Sequence, residues 1–353
     1  MIRLASPLPP LPVEDLREAV SLTPDAVWDR LRGRRLFITG GTGFVGKWLL
    51  TTLREADRMH GLGCEVTVLS RRPAAFRIQM PHLAADPSIR LVEGDVRDFA
   101  LPPGRFDIVV HAATDVATDN TPLDLFDTCV AGTRRVMHLA VAAGATDVLL
   151  VSSGAVYGRQ PPVLERLPED HAGAPDPLSP ATAYGQGKRV SEWIASSAAA
   201  QHGLRLHVAR LFAFVGPHLA LDRQFAVGNF MGDALAGRPI VVAGDGTDVR
   251  SYLYAAEMAG WCWNILFQGR PGAAYNVGSD ESVAIGTLAE RVADAVGSSA
   301  GTIIRGKRCP GVLPSRYVPD IDRAAAELGL RPRVRLDEAL RRTAAWYRPA
   351  AVA

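Results

Sequence analysis

Tyr184 and Lys188 stand in the stretch Tyr-Gly-Gln-Gly-Lys, one helical turn apart, so both side chains would share one face of a helix. The chemistry wants such a pair. A phenol of pKa about 10 is a poor acid or base at neutral pH, and a neighbouring ammonium stabilises its phenolate. In a chain with seven tyrosines and three lysines (Lys47, Lys188, Lys307), chance supplies about 0.06 such pairs. Upstream, the apolar run DVLLVSS ends in hydroxyls and continues GAVYG, which would deliver a serine to the carboxyl edge of a sheet. Serines after a buried strand also cap helices and form turns. With Tyr184 and Lys188 following, the catalytic reading becomes the stronger one.

A second constellation lies in FITGGTGFVGKWLL, Phe37 to Leu50, where Gly40, Gly43 and Gly46 follow an apolar run and open an apolar helix. One glycine permits the tight turn, the next lets backbone touch a pyrophosphate, and the last lets helix and strand pack closely. The helix N-terminus offers unpaired N–H groups and a positive dipole end. A flexible turn would also use glycines, but strand before, helix after and further βα units behind point to a dinucleotide. Where the second strand ends, an acidic residue would bind the ribose hydroxyls of NAD. Here EVTVLSRRP puts Ser70, Arg71 and Arg72 there. A guanidinium suits a 2′-phosphate, so NADP(H) is favoured over NAD(H), the plainer alternative being an arginine stacked on adenine. Asp95, in EGDVRD, is placed equally well to meet the adenine amino group or to serve as a turn aspartate.

These groups need a scaffold that collects strand ends. The runs RLFITG, EVTVLS, IRLVEGD, FDIVVHAA, DVLLVSS and LRLHVARL, with helix-length segments between most of them, predict a parallel sheet covered on both faces. The expected fold is α/β: a doubly wound Rossmann sheet over residues 34–210, then a smaller C-terminal α/β substrate-binding domain over 211–353 with some segments returning to the sheet. In that second part QFAVGNFMGDALAG, the Gly244 to Gly246 turn and AYNVGS read as a cap over the strands' carboxyl ends. Residues 1–33 read as a Pro-rich leader and a short helical piece, DAVWDRLRG, with no motif.

Composition excludes other classes. With 353 residues, 48% hydrophobic, 22% charged and a net charge of +2, nothing suggests a polyanion-binding surface, and no basic stripe with interleaved aromatics predicts nucleic-acid binding. Cys64, Cys129, Cys262 and Cys309 lie far apart without metal-ligand spacing and read as reduced thiols, so no metal is expected. No apolar run reaches the roughly 18 residues of a membrane span, and the N-terminus lacks signal-peptide character; the cytoplasm is the expected compartment.

The chain resembles an extended short-chain dehydrogenase/reductase of the nucleotide-sugar epimerase/dehydratase family from about Arg35 onward, closest in character to 4-ketoreductases. TGGTGFVG, GDVRD, HAA at 111–113, VSSGAVYG, YGQGK, RLFAFVGP, GDGTDVRSYLY, AYNVGS and DIDRAAAELGL carry the likeness. The resemblance implies a catalytic triad: Ser153 polarises the substrate oxygen, Tyr184 shuttles the proton, and Lys188 binds the nicotinamide ribose and lowers the Tyr184 pKa. It places Gly40, Gly43, Phe44, Val45, Gly46, Ser70, Arg71, Arg72, Asp95, Val96, Ala112 and Ala113 around the cofactor. Arg250 would hold the sugar nucleotide's diphosphate, assisted by Asn229. It implies a homodimer through a four-helix interface built from the YGQGK helix and the Ala131 to Ala143 helix.

Departures from the family pattern narrow the reaction. Dehydrating members carry an Asp-Glu pair after the serine strand, where this chain has Gly154 and Ala155, which argues against 4,6-dehydration. Ala213 and Cys129 stand where the family often has asparagine. The expected activity is NADPH-dependent reduction of a nucleotide-linked 4-keto-6-deoxy sugar, with a dTDP carrier. The alternative is a 4-epimerase acting through tightly bound NAD.

Overall fold

The structure is a computed structural model describing residues 7–114, 120–223 and 225–348. Helices α1 (Val13–Ser21) and α2 (Asp25–Trp28) precede an alternation of strand and helix: β1 (Arg35–Thr39), α3 (Phe44–His60), β2 (Glu65–Ser70), the short α4 (Pro73–Gln79) and α5 (Pro81–Ala84), β3 (Ile89–Glu93) and β4 (Ile108–His111). It continues through α6 (Pro122–Ala142), β5 (Asp147–Ser153), α7 (Ala183–His202) and β6 (Arg205–Leu211). Shorter elements follow: β7 (Phe214–Val215), α8 (Ala226–Leu235), β8 (Ile240–Val242), β9 (Val249–Ser251), β10 (Leu253–Tyr254) and α9 (Ala255–Gln268). The chain ends with β11 (Ala274–Val277), β12 (Ser282–Ala284), α10 (Ile285–Val296), β13 (Thr302–Ile304), β14 (Arg316–Tyr317), α11 (Asp322–Leu328) and α12 (Leu336–Tyr347).

Seven strands form one parallel sheet in the order β11-β6-β5-β4-β1-β2-β3. The strand side chains sort by parity onto its two faces. Leu36, Ile38, Ile108, Val110, Leu149 and Val151 join one core, shared with α1, α3 and α9. Phe37, Val109, Val148 and Leu150 join the other, with Val136, Met137 and Ala140 of α6 and Ala195 and Ala199 of α7. Both faces are therefore covered, which is why the strands read as unbroken apolar runs. At the amino-terminal end of the sheet Arg205 clasps Asp147 of the adjacent strand through two hydrogen bonds of 2.7 and 2.6 Å, leaving the carboxyl ends for the site.

The structure revises the sequence reading at two places. Residues Ala274–Val277, expected in the cap, return to the sheet as its edge strand beside β6, with Tyr275 and Val277 wholly buried. The segment before β1 also carries more than a leader. Its helix α1 packs on α3 and α9, and Asp15 accepts hydrogen bonds from Tyr254 (2.5 Å) and Arg342 (2.9 Å), tying it to β10 and α12.

The small C-terminal sheets pair β7 with β10, β8 with β13, and β9 with both β12 and β14. Among the described residues no helix is long and apolar enough to cross a membrane, and no cluster of His, Cys, Asp or Glu is arranged to hold a metal ion.

Candidate active site

The glycines after β1 act by close approach. Gly40 adopts φ +71°, and a Cβ there would stand 2.5 Å from the Ala112 carbonyl carbon, so the turn lies directly on the end of β4. Ala113 completes the contact by donating its N–H to Thr39 Oγ1 at 3.2 Å. A Cβ on Gly46 would meet Gly40 O at 2.2 Å, which fixes why the helix can start so near the strand. Gly43 is the N-cap of α3 in extended conformation and offers no side chain to cap it. The first-turn amides of Phe44, Val45 and Gly46 thus lack an intrahelical acceptor. An uncapped, side-chain-free cradle of this kind fits a dinucleotide pyrophosphate. Val96 is buried under α6, where a Cβ on Gly132 would come within 2.9 Å of its Cγ1.

At the β2 end Ser70 is buried and accepts the Arg72 N–H at 3.2 Å, while Arg71 and Arg72 are exposed. Asp95 is held within its own turn: it takes the Arg97 N–H (3.0 Å), Nε (2.8 Å) and Nη2 (3.1 Å). The hydrogen bond from Arg97 holds its carboxyl below the ordinary value, with Arg71 adding to the positive surroundings. The turn role is therefore the one its contacts display.

Ser153, Tyr184 and Lys188 are brought together as their types suggested. Ser153 is the last residue of β5, buried, and its Oγ accepts the Ala155 N–H at 3.1 Å. Tyr184 lies in the first turn of α7, on the side of the helix that faces the end of β5 and Ser153. Burial pushes the phenol up to about 12, and the Ser153 hydrogen bond opposes that rise. Lys188, one turn on, is buried, donates to the Val151 carbonyl at 2.8 Å and places Nζ 5.8 Å from the Tyr184 ring centre. Burial lowers its pKa.

The two glycines between Tyr184 and Lys188 bring α7 this close. A Cβ on Gly185 would meet Ala155 O at 2.6 Å, and one on Gly187 would meet Cys129 Cβ at 2.8 Å. Cys129 faces Lys188 and Tyr184 from α6.

Arg250 lies on β9, partly buried, donating Nη1 to the carbonyls of Val249 (2.8 Å) and Ser315 (3.2 Å). Asn229 sits separately on α8, and its side chain has no hydrogen-bond partner among the described residues.

Two residues that the sequence did not single out complete the site. Tyr317 on β14 is the register partner of Arg250, and its hydroxyl stands beside Gly154, the residue after Ser153. Phe212 packs on Tyr317 at 4.6 Å between ring centres. Together they enclose Gly154: a Cβ there would stand 2.6 Å from Tyr317 Oη and 2.7 Å from Phe212 Cζ. A side chain at position 154 would require the Tyr317 or Phe212 ring to move, and the acid that the family resemblance assigns to dehydrating members at this point is absent from this chain. A two-residue strand about a hundred positions beyond β6 gave no sequence signal of this contact.

A groove of about 600 Å³ among Arg35, Glu65, Arg90 and Phe106 lies at the opposite, amino-terminal end of the strands and contains none of these groups.

Comparison with known proteins agrees with this geometry. Residues 36–278 match the family described as NAD dependent epimerase/dehydratase. The chain is 29% identical over 307 residues to UDP-glucuronic acid decarboxylase 3 of Arabidopsis thaliana, covering 87% of this chain and 86% of that protein. It is 30% identical over 322 residues to dTDP-glucose 4,6-dehydratase of Streptomyces antibioticus, covering 89% and 92%. The structure of DesIV, a dTDP-glucose 4,6-dehydratase from Streptomyces venezuelae with NAD and TYD bound, superimposes with TM-score 0.75 at 27% identity, over 89% of this chain and 96% of that one.

Proposed function

We propose that this chain, which belongs to the NAD dependent epimerase/dehydratase family, reduces the 4-keto group of a dTDP-linked 4-keto-6-deoxy sugar with NADPH. The observation that carries the choice of cofactor is the end of β2, where Ser70, Arg71 and Arg72 stand in place of the acidic residue that suits NAD. The observation against dehydration is the closed space at Gly154. The similarity to dTDP-glucose 4,6-dehydratases supports the dTDP carrier.

When bound, the nicotinamide supplies a hydride to the carbonyl carbon. The chain's own groups handle the oxygen and its proton. Ser153 hydrogen-bonds the carbonyl oxygen and favours the charge that develops there. Tyr184, protonated at neutral pH because burial holds its phenol near 12, delivers its proton to that oxygen. Lys188, anchored on Val151, stabilises the phenolate left behind. Arg250 holds the diphosphate with its planar fork and Asn229 assists, while the first turn of α3 binds the cofactor pyrophosphate, with Val96, Ala112 and Ala113 lining its path.

A 4-epimerase with retained NAD is the second reading, favoured by the NAD named in the Streptomyces venezuelae structure. Nicotinamide absorbance separates the two. Purified protein given dTDP-4-keto-6-deoxyglucose should oxidise excess NADPH continuously and NADH more slowly. Consumption of neither, with NAD retained through purification, would transfer the assignment to epimerisation. A homodimer through α6 and α7 accompanies either reading; it is supported by Trp193, which is 67% exposed on α7, and a monomer mass in light scattering would end it.

A further inference from the structure

We propose that Arg210 is a positioning residue: with the Ser152 hydroxyl it occupies the carboxylate of Glu192, and so keeps the Lys188 ammonium beside Tyr184 instead of one turn further along α7. The inference rests on the hydride-transfer reading of this site and deepens it.

Lys188 and Glu192 stand four residues apart on α7, so their side chains share one face and an ion pair within the helix is open to them. The structure shows a different arrangement. Lys188 Nζ donates to the Val151 carbonyl at 2.8 Å and lies 5.8 Å from the Tyr184 ring centre. Glu192 is taken up by other partners. Its Oε1 accepts Ser152 Oγ at 2.5 Å and Arg210 Nε at 3.0 Å, and its Oε2 accepts Arg210 Nη2 at 2.7 Å. A carboxylate offers about four acceptor positions, so most of them are filled and the charge is matched by a two-point guanidinium.

The sheet fixes these partners of Glu192. Ser152 of β5 and Arg210 of β6 are in register, and Asn276 of β11 is next to Arg210 in the same row. Arg210 Nη1 donates to the Tyr157 hydroxyl at 2.9 Å and the Glu169 carbonyl at 3.0 Å, and that hydroxyl donates to Asn276 Oδ1 at 2.8 Å. Each arm of the guanidinium is thereby held in place under α7. Around Lys188, burial keeps His111 of β4 and Cys129 of α6 uncharged, which leaves Glu192 as the full negative charge acting on the ammonium. Two charges attract more strongly away from water, so an unoccupied carboxylate one turn away would draw the buried lysine off Tyr184. Arg210 cancels that attraction through Glu192 alone.

The chain has three lysines, Lys47, Lys188 and Lys307, so protein labelled with carbon-13 at the lysine ε carbon gives three resonances, and Lys188 is identified by its loss in Lys188→Arg. Arg210→Met should raise the Lys188 pKa by about one unit, a tenfold change in its ionisation constant, as Nζ moves to Glu192. In a Glu192→Gln background the same substitution should leave Lys188 unmoved, because no carboxylate remains to draw it. An unmoved Lys188 in Arg210→Met, or an equal shift in both backgrounds, would overturn the proposal, and the equal shift would make Arg210 a brace of α7 only. Ser152→Ala leaves the ion pair in place and should raise the Lys188 pKa by less; where Arg210→Met does not fold, the absence of that rise overturns the proposal. The second readout is kinetic: kcat for the keto sugar should fall about tenfold in Arg210→Met, following the ionisation constant, with KM nearly unchanged. Adding Glu192→Gln should restore most of the loss, and a folded double variant as slow as Arg210→Met would count against the proposal. Should the wild-type protein transfer no hydride while Lys188 shifts as expected, the arrangement stands and the reductase reading is the part that fails.

Discussion

Phe212 and Gly154 are packed so closely that a Cβ on the glycine would stand 2.7 Å from Phe212 Cζ, closer than carbon atoms tolerate. Inserting even a methyl group forces the ring or the turn to move, and overpacking of this kind costs about 1–3 kcal/mol. Gly154→Ala should therefore lower the urea midpoint, and Phe212→Leu in that background should recover part of the loss. For the same reason Gly154→Asp, which restores the residue type of dehydrating relatives, should lose reductase activity without acquiring dehydration. A Gly154→Ala protein as stable as the wild type would show that the enclosure is soft.

Tyr184→Phe removes the proton carried in the proposed reduction and leaves the ring in place. General acid catalysis contributes about 10²–10⁴ in rate, so turnover should fall by that factor while NADPH affinity, read by nicotinamide fluorescence, stays within about twofold. Undiminished turnover would remove Tyr184 from the chemistry.

How much of this was legible in the sequence depended on whether the signal was local. The apolar run that holds Leu36, Phe37 and Ile38, the glycines after it, and the turn between Tyr184 and Lys188 are all short-range patterns, and each appears in the structure where the pattern put it. The Tyr317 contact is different in kind. It brings Tyr317 against Gly154, just beyond β5, from a distant part of the chain, and the two-residue strand that holds Tyr317 is defined only by its neighbour β9. The helix α1 was obscured similarly, because Asp15 reads as a surface carboxylate until Tyr254 and Arg342 are seen to surround it. Edge strand β11 was read as part of the cap since four residues, Ala274–Val277, carry no record of which sheet they join.

Arg71 stands exposed just beyond β2, next to the positive end that Arg72 also occupies. A charge-assisted hydrogen bond to a 2′-phosphate contributes about 1.5–3 kcal/mol, so Arg71→Ala should weaken NADPH binding roughly 10- to 100-fold and leave NADH nearly unaffected. Titrating both cofactors by fluorescence tests this. Equal losses for the two would mean that Arg71 stacks on adenine and reads no phosphate.

Glu257 is wholly buried on α9, where it accepts the backbone N–H groups of Arg333 (2.5 Å) and Val334 (3.4 Å). Burial outweighs those two hydrogen bonds and pushes its carboxyl from 4.5 up to about 7. Between these values the folded protein keeps a proton that the unfolded chain has released. The corresponding stability is complete below about pH 4.5 and is lost as pH rises through 7, a change of roughly 3 kcal/mol. His111 and His218 act in the opposite sense. Burial lowers each from 6.5 to about 3, so their contribution grows as pH rises through that window. The wild-type profile sums these slopes, and Glu257→Gln isolates one of them. Urea unfolding at pH 5 and pH 8 should show the variant gaining on the wild type by roughly 3 kcal/mol across the interval. Parallel profiles for the two proteins would mean that Glu257 ionises near its ordinary value, and that water or a local opening reaches α9.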